Sequence, residues 1–268
     1  MSDLRQEQLD EICERQLFHL PYFRGMLRAV EHSLYPQELL VEPILDIGAG
    51  DGHFAWAMLE DKVVDGIDPW LAPLKEARSW SVYRSLSQAN GQELPFSSGQ
   101  FPTAISNSVL EHIPGVQDVL NEVGRCLQPG GHFIFAVPND RFRTELWGME
   151  VLRKLGLSFL TQSYSRFFNW VSRHVNLDKP EVWVERLRIA GFGEVKHWNY
   201  FPKSALHQLE RGHVANLPNL LWKKLFGKWV LFKNRKNPFI HFDRISRLVE
   251  SPLDENGCCT FYVATKNI

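Results

Sequence analysis

The chain has 268 residues, 44% hydrophobic and 23% charged, with 30 basic and 31 acidic side chains and a formal net charge of −1. That length can bury a full core as one doubly wound sheet with an insertion, and the balanced charge argues against a nucleic-acid partner held by a globally basic surface. Cys13, Cys126, Cys258 and Cys259 show no CxxC pairing, the N-terminus is charged where a leader would be apolar, and no apolar run reaches membrane-span length, so a cytoplasmic protein with reduced thiols is expected.

From Asp3 to Leu20, apolar residues recur at helical spacing (Leu4, Leu9, Ile12, Leu17, Leu20), and a second helical stretch runs from Pro21 to about Leu40. These helices either cover a sheet edge or close over a ligand. Ile44 to Ile47 reads as a strand, cut off by Gly48-Ala49-Gly50-Asp51-Gly52; a helix from His53 to Glu60 and a second strand from Val63 to Ile67 follow, ending on Asp68. Strand, glycine turn, helix, strand and acid is the order of a nucleotide-binding βαβ unit. A dinucleotide site needs a third glycine where this chain has His53. Asp46, just before the glycines, would repel a pyrophosphate and suits an ammonium or sulfonium ligand, while Asp68 can accept hydrogen bonds from both hydroxyls of a ribose.

Leu71 to Trp80 reads as the next helix and Val82 to Leu86 as the third strand, leading into Asn90-Gly91-Gln92-Glu93-Leu94-Pro95-Phe96. Phe101 to Asn107 is the fourth strand, Val116 to Leu127 a helix, Gln128 to Gly131 a turn, and His132 to Val137 the fifth strand.

In this order, LDIGAGDG, Asp68, the Leu94-Pro95-Phe96 loop, SNSVLEHIP from Ser106 to Pro114 and LQPGG from Leu127 resemble the class I S-adenosylmethionine-dependent methyltransferases. The resemblance implies an α/β fold with a doubly wound, mostly parallel seven-stranded sheet whose last strand is antiparallel. It implies S-adenosyl-L-methionine as cofactor, held by Asp46, Gly48, Ala49, Gly50, Gly52, Asp68, Pro69, Asn90, Gly91 and Asn107. Asn90 stands where the family usually has an acid; its amide can still donate to and accept from an adenine edge.

Beyond Val137 the resemblance thins. The expected organisation is a helical cap (1–40), a cofactor-binding core (41–138), an aromatic-rich helical insertion on the substrate side (139–180), a core helix and strand (181–201), a second insertion (202–257) and a last strand (258–268). An activated sulfonium methyl needs chiefly an aligned nucleophile and exclusion of water, with a general base only for a hydroxyl, phenol or acidic carbon. His112, beyond the fourth strand, and His174, on the substrate side, are the candidate bases. The alternatives are that His112 shapes the cofactor pocket and that His174 is a surface residue.

Asn107 is followed by Ser108-Val109 in place of the Asn-Pro-Pro-aromatic signature of many amino-group methyltransferases, which favours oxygen or carbon as the acceptor atom. The expected function is methyl transfer to a small apolar or aromatic acceptor; a non-catalytic cofactor-binding protein of the same fold is the alternative. No metal is expected, since the histidines and cysteines lack ligand spacing. Residues 217–232 (LPNLLWKKLFGKWVLF) gather apolar side chains on one helical face with flanking lysines, and cations continue to Lys236. Such a segment suits a lid, peripheral membrane contact through 217–236, or ordinary packing on the sheet.

Overall fold

The computed structural model describes residues 2–215, 223–225, 227, 229–230, 233–235 and 241–268. The expected amphipathic helix over 217–232 lies largely outside the described residues. In chain order the elements are α1 (Ser2–Leu17), α2 (Tyr22–Leu34), β1 (Ile44–Ile47), α3 (His53–Leu59), β2 (Val64–Asp68), α4 (Leu71–Ala77), β3 (Tyr83–Gln88), β4 (Phe101–Asn107), α5 (Val116–Cys126) and β5 (Leu127–Pro138). They continue with α6 (Trp147–Lys154), α7 (Thr161–Ser172), α8 (Pro180–Ile189), β6 (Phe192–Tyr200), α9 (Lys203–Ala215), α10 (Phe242–Glu250) and β7 (Cys259–Lys266).

The chain divides into two compact units, Pro36–Asp140 with Asn169–Trp198 and Cys259–Ile268 in one, and Met1–Tyr35 with Arg141–Phe168 and Asn199–Cys258 in the other. The first is built on a seven-stranded sheet of order β3-β2-β1-β4-β5-β7-β6. β1 pairs in parallel with β2 and β4, β4 in parallel with β5, and β5 antiparallel with β7, so the expected fold class is the one observed. All four residues of β1 and all five of β2 are buried, as central parallel strands covered on both faces require. The order runs outward from β1 in both directions. That places the topological switch point, and hence the crevice where open α/β sheets bind ligands, at the carboxyl ends of β1 and β4.

The sheet's core is aromatic on one side. Phe135 stacks on Tyr262 at 4.6 Å between ring centroids and on Phe133 at 4.8 Å, with Trp183 of α8 at 5.5 Å. Two boundaries differ from expectation for local reasons. The second helix stops at Leu34, because Tyr35 precedes Pro36 and is driven to an extended conformation. β5 starts at Leu127, so the Gln128–Gly131 turn is a bulge inside the strand: Phe101 pairs with Leu127, and Thr103 with His132.

The second unit is helical. α1 and α2 pack on each other and both meet α10, while α9 lies on α2 and α6 on α9. Glu210 of α9 accepts the backbone N–H groups of Trp147 and Gly148, the otherwise orphaned donors of the first turn of α6, and also the Tyr164 hydroxyl. Glu31 of α2 accepts from the Tyr200 hydroxyl at 3.0 Å and from Arg28 at 2.7 Å. No helix among the described residues is long and apolar enough to cross a membrane.

Candidate active site

The turn after β1 needs its glycines. Gly48, Gly50 and Gly52 have φ of +81°, +54° and +75°, the left-handed region that side chains disfavour. A Cβ on Gly48 would also fall 2.5 Å from Val109. Over Gly50 the nearest atom to such a Cβ would be the turn's own Gly48 oxygen at 3.8 Å, so one face of the loop is open to a ligand. The N–H groups of Gly48 and Ala49 both donate to the Ile67 carbonyl, at 2.9 and 2.8 Å, which sews the turn to the end of β2.

Asp68 closes β2 beside that turn. One carboxylate oxygen accepts the Gly50 N–H at 3.0 Å and the other the Trp70 N–H at 2.8 Å, so both are fixed in direction and each retains accepting capacity. Asp46 is buried, and its Oδ2 accepts the Tyr83 hydroxyl at 2.6 Å. Burial, and then the Asp46 charge, push the Tyr83 phenol well above its ordinary pKa, so Tyr83 stays a hydrogen-bond donor to Asp46.

Tyr83 is a site residue that sequence reasoning missed. It stands on β3, two strands from Asp46, and reaches it across Gly66, which pairs with Asp46 in register. A Cβ at Gly66 would lie 2.7 Å from the Tyr83 ring. The available signal was that glycine in mid-strand, a mark of close approach by another group.

The loop carrying Asn90 and Gly91 is joined to the Asp68 turn by hydrogen bonds from Ala89 N–H to the Asp68 carbonyl and from Gln88 Nε2 to the Pro69 carbonyl. Asn90 itself is exposed. Farther on, Arg125 donates to the carbonyls of Leu94 and Phe96, and Glu122 accepts the Leu94 N–H, which pins the Leu-Pro-Phe part of the loop. Asn107, buried at the end of β4, pairs in register with Ala136 of β5, and Ser108 turns the chain with φ of +51°.

That turn leads to the two histidines expected near the strand ends, which the fold brings together. Their rings lie 5.2 Å apart between centroids, and His112 Nε2 is 3.7 Å from Glu111 Oε1. The segment after α7 is tied to the segment after β4 by its backbone: Val175 and Asn176 N–H donate to the Glu111 carbonyl at 2.7 and 3.0 Å. The Asn176 side chain donates to the carbonyls of Leu110 and Ile113, both at 2.9 Å. Asn176 is a second residue the sequence did not single out, since its role depends on a fold-level juxtaposition.

Known proteins resemble this chain in sequence and in fold. Residues 45–135 match the family described as a methyltransferase domain. The chain is 28% identical over 126 residues to a ubiquinone biosynthesis O-methyltransferase of Vibrio atlanticus, covering 44% of this chain and 52% of that protein. It is 25% identical over 171 residues to the ubiquinone/menaquinone biosynthesis C-methyltransferase UbiE of a Ruegeria species, covering 58% and 68%. The matches span between about half and three fifths of the length of several such O-methyltransferases (52%, 61% and 62%). Among solved structures, a SAM-dependent methyltransferase from Thermotoga maritima superposes with a TM-score of 0.55 over 100% of both chains at 17% identity, a likeness of fold. The matched residues run from β1 to β5, so the sheet carries a methyltransferase domain of the class I S-adenosylmethionine-dependent type.

Proposed function

We propose that this protein transfers a methyl group from S-adenosylmethionine to a small acceptor with an aromatic or apolar body, at oxygen or carbon. The observation that carries the reading is the pair of acids flanking an open glycine turn: Asp68 with both oxygens oriented by backbone N–H groups, and Asp46 oriented by Tyr83. These residues fit the cofactor. Asp68 would take the ribose hydroxyls, Asp46 would favour the cationic amino acid end, Gly48 to Gly52 would let the backbone approach closely, and Asn90 would meet the adenine edge. When bound, the cofactor supplies an already activated methyl group.

The remaining work falls to this chain's side chains. They position the acceptor, exclude water and, for a hydroxyl acceptor, take up its proton. His112 and His174 are the groups proposed for that last task, His112 with its ring at the surface and its backbone N–H donating to the carbonyl of Val109, whose side chain closes over Gly48. The acceptor class is supported by the aromatic composition and by relatives named for ubiquinone O-methylation and ubiquinone/menaquinone C-methylation.

The test is a mass-shift assay with S-adenosylmethionine against quinols, phenols, polyketides and lipids. A gain of one methyl group on a member of the quinol or phenol set is expected. Turnover confined to amines would overturn the acceptor reading, and tight cofactor binding without product from any acceptor would favour the non-catalytic alternative.

A further inference from the structure

Glu111, His112 and His174 each offer one ligand atom, and the three atoms lie within 4.8 Å of one another. We propose that they form a binding site for a divalent transition-metal ion of the zinc class, with two imidazole nitrogens and one carboxylate oxygen as the protein's ligands. The residue types point to that class. Imidazole suits zinc and its neighbours, whereas magnesium and calcium take oxygen ligands.

The ring orientation supports the assignment. His112 Nδ1 is 3.0 Å from the Arg173 carbonyl, which can only accept, so Nδ1 carries the proton and Nε2 presents its lone pair toward Glu111. Metal-bound histidines use their second nitrogen in this way, which fixes tautomer and ring direction together. The 3.7 Å between His112 Nε2 and Glu111 Oε1 is beyond a hydrogen bond. Metal–ligand bonds of ~2.0–2.2 Å at a tetrahedral angle put neighbouring ligand atoms roughly 3.3–3.6 Å apart, so a small side-chain rotation closes the set.

The arms are held in place before any ion arrives. Residues 173–176 and 110–113 are joined by the Val175, Asn176 and His112 hydrogen bonds described above, so the ligands are not carried on independent loops. The Glu111 side chain is 2% exposed and that of His112 is 40% exposed, so the set is closed on the protein side and open on the other. Three protein ligands with an open position is the arrangement of metal sites that engage a substrate. With the ion bound, the two imidazoles serve as ligands, and the open position is proposed to receive an acceptor oxygen and favour its deprotonation, in place of direct proton uptake by either histidine. That role rests on the methyltransferase reading; metal binding itself does not.

The experiment uses the full chain, stripped with a chelator, desalted and titrated with ZnCl2 in a calorimeter, with retained metal measured by elemental analysis. One equivalent is expected. His174→Ala and Glu111→Gln should each weaken binding more than about 100-fold, beyond the roughly 10–100-fold typical of losing an outer partner of a ligand. Because Glu111 is buried, His112→Gln, at the exposed position, provides a variant whose fold is checked by circular dichroism. No retained metal, or equal affinity in the wild type and folded His112→Gln and His174→Ala, would overturn the site. Cofactor affinity measured separately distinguishes this failure from failure of the methyltransferase reading.

Discussion

In the sheet unit, the buried polar side chains Asp46, Asp68, Asn107 and Glu111 gather where β1, β2 and β4 end, whereas in the helical unit Gln16, Glu31, His32, Gln208 and Glu210 are spread over three helices. The helical unit's buried acids are matched by other parts of that unit: Glu31 by Tyr200 and Arg28, and Glu210 by α6 and Tyr164. The sheet unit instead holds its strands chiefly with apolar packing; Asp65 and Thr103, buried away from that end, are matched locally by Arg84 and Ser85 and by the Leu39–Val41 backbone. A polar substitution in the helical unit therefore removes structure, while one at the strand ends removes affinity.

The largest expected effect tests the apolar side of this contrast. Phe135→Ala, which empties the centre of the aromatic stack, should cost about 3–5 kcal/mol in denaturant unfolding. A loss no larger than that of a surface substitution would mean that packing is not what holds the sheet. Next comes the helical unit's response to acid. The His32 pKa is pushed down to about 4 by burial, and further by Arg15, while an unfolded imidazole titrates near 6.5. The contribution of the neutral ring is complete above about pH 6.5 and is lost as pH falls toward 4, up to about 3 kcal/mol. Unfolding midpoints across that window should fall less steeply in His32→Gln than in the wild type.

At the strand ends the expected losses are of binding. Asp68→Ala should weaken S-adenosylmethionine affinity by about 1.5–3 kcal/mol, as expected for loss of charge-assisted hydrogen bonds. Unchanged calorimetric affinity in a folded variant would remove the ribose assignment. The smallest effect sharpens the contrast most. Tyr83→Phe should weaken cofactor binding by about 0.5–1.5 kcal/mol, since Asp46 loses its orienting donor. Tyr22→Phe, which removes a comparable hydroxyl contact to Gln208 in the helical unit, should leave that affinity unmoved.

The two units also differed in how far they could be read from the chain. The glycine turn and Asp68 each lie at a strand end, so spacing and residue type pointed to them, while the Asn90 loop was singled out by the family resemblance. The last strand was legible too, at Cys259–Lys266, from the position that the resembled family gives it. Tyr83 was not, since its contact with Asp46 needs β3 to be known to lie beside β2 with Gly66 between. The pairing of Glu111 with His174 was hidden for the same kind of reason: ligand spacing along a chain cannot register groups joined through Asn176 from far apart. The helical unit is assembled from three separated segments, and helical periodicity says which face is apolar without saying which partner covers it.

The position of β7 has a consequence for biosynthesis. It lies between β5 and β6 in the sheet, although it is the last strand to be made. As the chain leaves the ribosome, β1 to β5 can pair in sequence, but β6 emerges with no neighbour to join and β5 keeps an open edge. Both edges are sealed only when residues 259–266 appear, and Phe135 acquires its Tyr262 partner at the same moment. The interval of synthesis between Pro138 and Cys259 is thus the window in which a nascent chain carries an unpaired, apolar strand edge, the kind of surface that invites association with other chains. A pause in translation within that interval would lengthen the exposure without changing a single residue of the finished protein.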